Sequence, residues 1–307
     1  MIFLETYKKL NLHNEDEVFE YLLNSLKDSN KTFDYFVDWS TVFSNVKEIE
    51  KQLNILNYLI GKDNIKEEFK GLIEEYPEVV NVIPVLLAIR SKSLKILVDY
   101  KQKDWIYKDY FFKKKKGYTD TEINNVIEFC EHTGLLGLFS ERKIKNLVDY
   151  CIGIEVGIGT NGRKNRSGTI MEGIMEWHVK NVCEKLGLDY ISQGTKTKVS
   201  ERWGIELPTD RSDRTHDFII NNNGKLFIIE TNFYSGQGSK LKATAGEYQS
   251  LYEFLIEKET INNFIWITDG IGWITAKRHL RETFDKIDYL FNIKLISEGT
   301  LEEVLGK

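Results

Sequence analysis

Apolar residues recur at three- and four-residue intervals along the first part of the chain. Ile49, Leu53, Leu56 and Ile60 make one such stripe, and Ile65, Phe69, Leu72 and Ile73 make another, with Gly61 between them. Stripes at this spacing predict amphipathic helices. Pro84 interrupts the apolar run from Val79 to Ile89 and predicts a kink or a break. Leu94 to Val98 and Asp104 to Phe112 read as strands, ending in the lysine run Lys113 to Lys116. Thr119 to Phe129 returns to a helical period, with Ile123, Val126, Ile127 and Cys130 on one side.

Near residue 150 the pattern changes. A glycine-rich segment from Ile152 to Gly168 reads as a loop, and strands and helices alternate after it. We place a domain boundary there, dividing a mainly helical region (1–150) from an α/β region (151–307). Thr169 to Leu186 predicts a helix with Ile170, Ile174, Trp177 and Val182 facing inward, closed by Gly187. Asp189 to Gln193 predicts a short strand, followed by a hairpin from Asp217 to Glu230. Ser239 to Glu257 is helical, with Leu241, Ala245, Tyr248, Tyr252 and Leu255 in register. Phe264 to Thr268 is a buried strand, Ala276 to Lys286 a helix, and Tyr289 to Ile296 a strand before a short final helix.

Composition narrows the class. A 307-residue chain with 41% hydrophobic and 12% aromatic residues supports sizeable cores. The N-terminus carries no basic leader followed by an apolar stretch, and no apolar run reaches membrane-spanning length, so a cytoplasmic protein without a membrane segment is expected. Cys130, Cys151 and Cys183 stand apart from one another and read as reduced core thiols. A formal charge of −5 excludes an indiscriminate nucleic-acid coat but leaves room for local basic strips.

The hairpin is where chemistry concentrates. If Asn223 and Gly224 form a two-residue turn, counting outward opposes Asp217 to Glu230. A four-residue loop shifts the pairing by two, yet leaves Asp217, Glu230 and Asn232 on one face. Two carboxylates emerging from apolar strands need compensation for desolvation, and hard oxygen ligands of this kind suit Mg²⁺. An exposed acid pair at a hairpin rim is the alternative reading.

Basic residues gather on either side of this hairpin. Arg163, Lys164, Asn165 and Arg166 combine cations and an amide in the glycine-rich segment, where they suit phosphate contact or base reading in a groove. Lys196, Lys198, Arg202, Arg211, Arg214 and His216 lead into Asp217 as a second basic cluster, in which His216 either touches DNA or packs. The lysines Lys113 to Lys116 are an exposed turn or a phosphate contact.

The element order from residue 169, with acids on its second and third strands, resembles the PD-(D/E)XK nuclease core: a mixed central sheet flanked by helices. The likeness becomes specific in Glu230-Thr-Asn232, Phe233 to Lys242, Ala245 to Tyr248 and Trp266 to Trp273, together with Asp34 to Trp39, Phe43 to Lys47 and Asn54 to Gly61. Over nearly its whole length the chain resembles DpnII/MboI-type type II restriction endonucleases.

That resemblance implies Mg²⁺-dependent hydrolysis of double-stranded DNA at unmethylated 5′-GATC-3′, cut before the G. A homodimer matches a palindromic site. Asp217, Glu230 and the backbone carbonyl of Thr231 become the metal ligands. Glu172, from the first helix of the core, is a candidate to reach the same site, unless Glu172 and Glu176 are simply a solvated face. Glu247 supports the site or lies exposed. The core usually has lysine where this chain has Asn232, and an amide orients water but takes no proton. Water activated at the metal, helped by a phosphate oxygen or by Lys240, then supplies the nucleophile, with plain phosphate contact the alternative for Lys240. Two alternatives remain: a nuclease of the same core acting on another substrate class, and a DNA-binding relative without catalysis.

Overall fold

The computed structural model describes every residue except Gln102, Lys103, Arg211, Ser212, Asp213 and Gln237, and for Thr160, Asn161, Lys164, Asn165 and Ser239 the backbone alone. The chain separates into two compact units, one formed by Met1–Thr32 with Lys164–Lys307 and the other by Phe33–Arg163. The 1–150 and 151–307 division read from the sequence is a different cut, placed at a change in composition rather than a change in contacts. Among the described residues no helix is long and apolar enough to cross a membrane.

The unit spanning Phe33–Arg163 is mainly helical. Its helices are α3 (Trp39–Leu56), α4 (Ile65–Glu75), α5 (Asp120–His132), α6 (Leu135–Ser140) and α7 (Leu147–Asn161), with a 3-10 stretch at Pro77–Leu87 that contains Pro84. Strands β1 (Ser93–Asp99) and β2 (Ile106–Phe111) pair antiparallel as a two-stranded ribbon. Thr119 and Glu122 form the reciprocal cap that starts α5.

The glycine-rich segment from 152 is not a loop; it is helical in α7, and Arg163 begins the next helix. Leu147, Cys151 and Glu155, spaced by four, are all buried, and the Glu155 carboxylate accepts from Arg90 (2.6 Å) and Asn45 (2.8 Å). Each glycine weakens a helix by about 1 kcal/mol relative to alanine. Tertiary burial of this face outweighs that local preference.

The other unit has short helices α1 (Glu5–Lys9) and α2 (Glu15–Asn24), then α8 (Arg163–Leu186), β3 (Asp189–Gly194), α9 (Lys196–Trp203), β4 (His216–Asn222), β5 (Lys225–Phe233), α10 (Ser239–Ile256), β6 (Ile261–Asp269), α11 (Lys277–Phe284), β7 (Tyr289–Phe291), α12 (Ile293–Ser297) and α13 (Thr300–Leu305). The five strands lie in the order β3-β4-β5-β6-β7, antiparallel across the first three and parallel across the last three. Consecutive residues Phe218–Ile220, Leu226–Ile229 and Phe264–Ile267 are all buried, so this sheet is covered on both faces.

Two local expectations give way here, and one helix lies where no element was expected. Helix α8 fully buries Met171, Met175, Val179 and Cys183, whereas Ile170, Ile174 and Val182 are half-buried and Trp177 is 64% exposed. Both stripes are apolar in sequence, and only packing selects between them. Residues Lys196–Trp203 form a helix, capped by Thr195. The last strand stops at Phe291 because buried Asn292 accepts from Leu295 N–H to cap α12 and donates to the Leu22 carbonyl.

Candidate active site

The β4–β5 hairpin closes through a two-residue turn in which Asn223 (φ 53°) and Gly224 (φ 88°) both take positive φ. Its rungs run from Asn222↔Lys225 to Phe218↔Ile229, so Asp217 and Glu230 would form the next one. The ladder ends there. Instead the contacts cross: a His216 ring nitrogen, Nδ1, lies 2.6 Å from Glu230 Oε1, and Asp217 Oδ2 accepts from the Thr231 N–H (2.7 Å) and hydroxyl (2.9 Å).

Both acids pay for their position. Glu230 is only 6% exposed, and burial pushes its carboxyl pKa up; the hydrogen bond from His216 opposes the rise and the nearby Asp217 charge adds to it. Burial likewise raises Asp217, against the two bonds from Thr231. Glu172 reaches the same neighbourhood from α8. Burial and the Asp217 charge raise its pKa, and Gln193 Nε2 donates to its Oε2 at 2.9 Å. Gln193 also stabilises the Asp217 anion. It occupies a positive-φ position (49°) at the end of β3. Three carboxylates therefore share one electrostatic neighbourhood, organised by Gln193, Thr231 and His216.

Behind Glu230 stands an aromatic wall. The parallel register sets Glu230 beside Trp266 and Asn232 beside Thr268. Tyr248 packs edge-on against Trp266 and donates to Glu230 Oε2 at 3.4 Å; burial and the Glu230 charge raise its phenol. Trp266 in turn meets Trp273, whose indole N–H donates to Thr268 Oγ1 (2.7 Å), and Thr268 donates to Asn232 Oδ1. Among the described residues the buried Asn232 amide nitrogen meets no strict hydrogen-bond partner, though Asn232 is close enough to Tyr248 to act on its phenol.

The other sequence candidates are dispersed. Lys240 is exposed at the start of α10, and among the described residues no hydrogen bond or ion pair ties it to the acids. Glu176 accepts from Ser192, the residue before the Gln193 that holds Glu172. His216, 2% exposed, is packed and bonded to Glu230, not presented to a ligand. Arg214 pairs with Glu247 (2.9 Å) and Asp210 (3.4 Å), and its charge favours the Glu230 anion. Arg202 forks onto Asp189. Lys198 donates to the Gln193 carbonyl (2.9 Å), and Lys196 pairs with Glu206 (3.4 Å). Arg163 donates to the Phe36 carbonyl. Arg166 lies within α8. Arg211 and the side chains of Lys164 and Asn165 lie outside the described residues.

Gln193 and Asp269 escaped sequence reading. No local pattern marks Gln193 as a partner of residues 21 and 24 positions away. Asp269 is fully buried and accepts backbone N–H groups from Lys27 (2.7 Å), Gly270 (2.6 Å) and Ile293 (2.9 Å). Its place in the Trp266–Trp273 motif was the available signal.

The model of the DpnII restriction endonuclease family matches residues 18–303. The chain belongs to the DpnII restriction endonuclease family. It is 50% identical to the type II restriction enzyme MjaIII of Methanocaldococcus jannaschii, over 94% of this chain and 99% of that protein. Identity is 38% to the type II restriction enzyme DpnII of Streptococcus pneumoniae (93% and 98% covered) and 35% to MboI of Moraxella bovis (93% and 98%). No solved structure matches the chain. As a DpnII-family member it is a type II restriction enzyme, a site-specific DNA endonuclease. In this DpnII-family chain the Trp266–Trp273 motif packs glycine against backbone: Gly272 N–H donates to the Tyr234 carbonyl at 2.8 Å, bracing the exit of β5.

Proposed function

We propose that the protein cleaves double-stranded DNA at unmethylated 5′-GATC-3′, before the G, as a cytoplasmic homodimer using Mg²⁺ bound to a PD-(D/E)XK-type core. The observation that carries this reading is the gathering of Glu172, Asp217 and Glu230, with burial raising all three pKa values and the Asp217 charge adding to the rise at Glu172 and Glu230. The site assignments rest on the same gathering.

The donor set fits a hard divalent cation. Buried carboxylates that repel one another gain from a shared positive charge, and oxygen ligands are what Mg²⁺ accepts. Among the described residues no cluster of three or more His, Cys, Asp or Glu side chains is already drawn into ligating geometry. Asp217 and Glu230 with the Thr231 carbonyl would hold the ion, and Glu172 would add a further carboxylate. When bound, such an ion stabilises charge on the scissile phosphate and makes a water more acidic.

The chain's own groups supply orientation. Thr231 fixes the Asp217 carboxylate and His216 that of Glu230, so neither must reorganise on binding. The amide of Asn232 can orient a water or a phosphate oxygen but takes no proton. That water adds to phosphorus as the bond to the 3′ oxygen breaks, leaving a 5′ phosphate and a 3′ hydroxyl. Lys240, Arg163 to Arg166, Lys196, Lys198 and Arg211 are assigned to DNA contact. Arg214 and His216 are reassigned to supporting Glu230.

Digestion of adenine-methylated and unmethylated plasmid with Mg²⁺, followed by end sequencing, tests the reading. Cuts before the G of unmethylated GATC are expected, with Asp217→Ala binding DNA but leaving it intact. Cutting elsewhere would reject the specificity, and full activity in Asp217→Ala would reject the site.

A further inference from the structure

The β1–β2 ribbon belongs to the helical unit and takes no part in the chemistry above. From Ser91 to Gly117 the sequence carries nine lysines against three aspartates, a local +6 in a chain whose formal charge is −5. This ribbon segment is thus the reverse of the remainder.

Its two faces differ. On one face Tyr110 packs against Phe129 of α5 and donates to Glu128, which also holds Lys108. Anchored this way, the ribbon does not depend on its own two strands for stability. The opposite face carries Ser93, Lys95 and Leu97 against Phe111, Asp109 and Tyr107, so that its one acid, Asp109, sits directly opposite Lys95. Tyr107 is 50% and Phe111 57% exposed, and neighbouring Trp105 is 61% exposed. Lys95, Lys113, Lys114 and Lys116 are exposed and make no ion pair among the described residues.

Exposed aromatic side chains on a ribbon left in water are a liability unless something covers them. A second copy of the same ribbon would bring two +6 segments together. A polyanion meets both features at once.

We infer that the β1–β2 ribbon is a second duplex-DNA contact, laying Leu97, Tyr107 and Phe111 into the major groove while Lys95, Lys113, Lys114 and Lys116 meet flanking phosphates. The major groove admits a two-stranded ribbon, and its thymine methyls offer apolar contact. The lysines supply affinity without sequence information. This rests on the enzyme acting on double-stranded DNA, but not on where it cuts.

The test uses the full chain and a labelled duplex lacking GATC, with Ca²⁺ in place of Mg²⁺, so binding is read without cleavage. Replacing Lys95, Lys113, Lys114 and Lys116 by Gln should weaken binding and flatten the plot of log affinity against log salt, by about 0.9 for each phosphate no longer neutralised. Tyr107→Ala with Phe111→Ala should weaken binding about tenfold at constant salt slope. Both variants should keep the wild-type melting temperature, since every replaced side chain is exposed. Unchanged affinity and salt slope in both would overturn the inference. So would a loss of self-association in sedimentation with DNA affinity intact, which would assign the ribbon to a protein interface. Plasmid cutting away from GATC would reject the proposed specificity and leave this result standing.

Discussion

His216 and Glu230 hold each other at 2.6 Å in the buried core, one residue out of step with the rung that would have joined Asp217 to Glu230. The imidazole donates when Glu230 is ionised. Its bond works against burial, so Glu230 stays an anion more readily than its surroundings alone would permit.

His216→Phe keeps the ring's bulk and removes the donor. Glu230 should then hold its proton to higher pH, so the acidic limb of the pH–rate profile should move upward. Near the foot of that limb cleavage should fall about tenfold, the scale of a hydrogen bond to a charged group. Raising Mg²⁺ should recover much of the loss, because metal and proton compete for the carboxylate. A uniform drop in rate with an unmoved limb would show that His216 merely packs.

Glu230→Gln should abolish cleavage and stabilise the protein. The folded-state carboxyl titrates above its unfolded value, so stability is greatest below the unfolded value and is lost as pH rises through the folded one. Glutamine removes that loss. Without added divalent metal, the mutant should melt about 2–4 °C higher at neutral pH, equivalent to about 1 kcal/mol. The difference should vanish in acid, where wild-type Glu230 is protonated too. Equal melting temperatures at every pH would contradict the raised pKa.

Gly272→Ala tests the brace behind β5. A Cβ there would lie 2.5 Å from the Gly236 carbonyl oxygen and 2.6 Å from that of Tyr234, both backbone atoms with little room to yield. A destabilisation of about 1–3 kcal/mol is expected, with reduced cleavage. Gly173→Ala, inside α8 with open space around its position, should instead be neutral or stabilising by up to about 1 kcal/mol. Denaturant melts of the two variants decide the point, and equal effects would refute the packing argument.

Much of the hairpin that carries the candidate acids was legible because its determinants are local. Asn223-Gly224 names a tight turn by itself, and counting from it puts Asp217 and Glu230 at the open end, but the contacts there join Asp217 to Thr231 and Glu230 to His216 instead of opposing the two acids. Lys240 and His216 were harder to read, since a side chain's role depends on what covers it. A histidine before an acid reads alike whether it meets DNA or fills a core.

The chain's order of residues by itself determined the hairpin, the acids at its open end, the cap of α5 and the apolar stripe of α10, because turn, cap and periodicity preferences act over a few neighbouring residues. Only the tertiary structure decided that 152–161 is helical, that α8 turns Met171 and Met175 inward, that Gln193 bridges Glu172 and Asp217, and that Asp269 ties Lys27 to Ile293. Those outcomes depend on desolvation and close packing between segments far apart in sequence, which no local preference encodes.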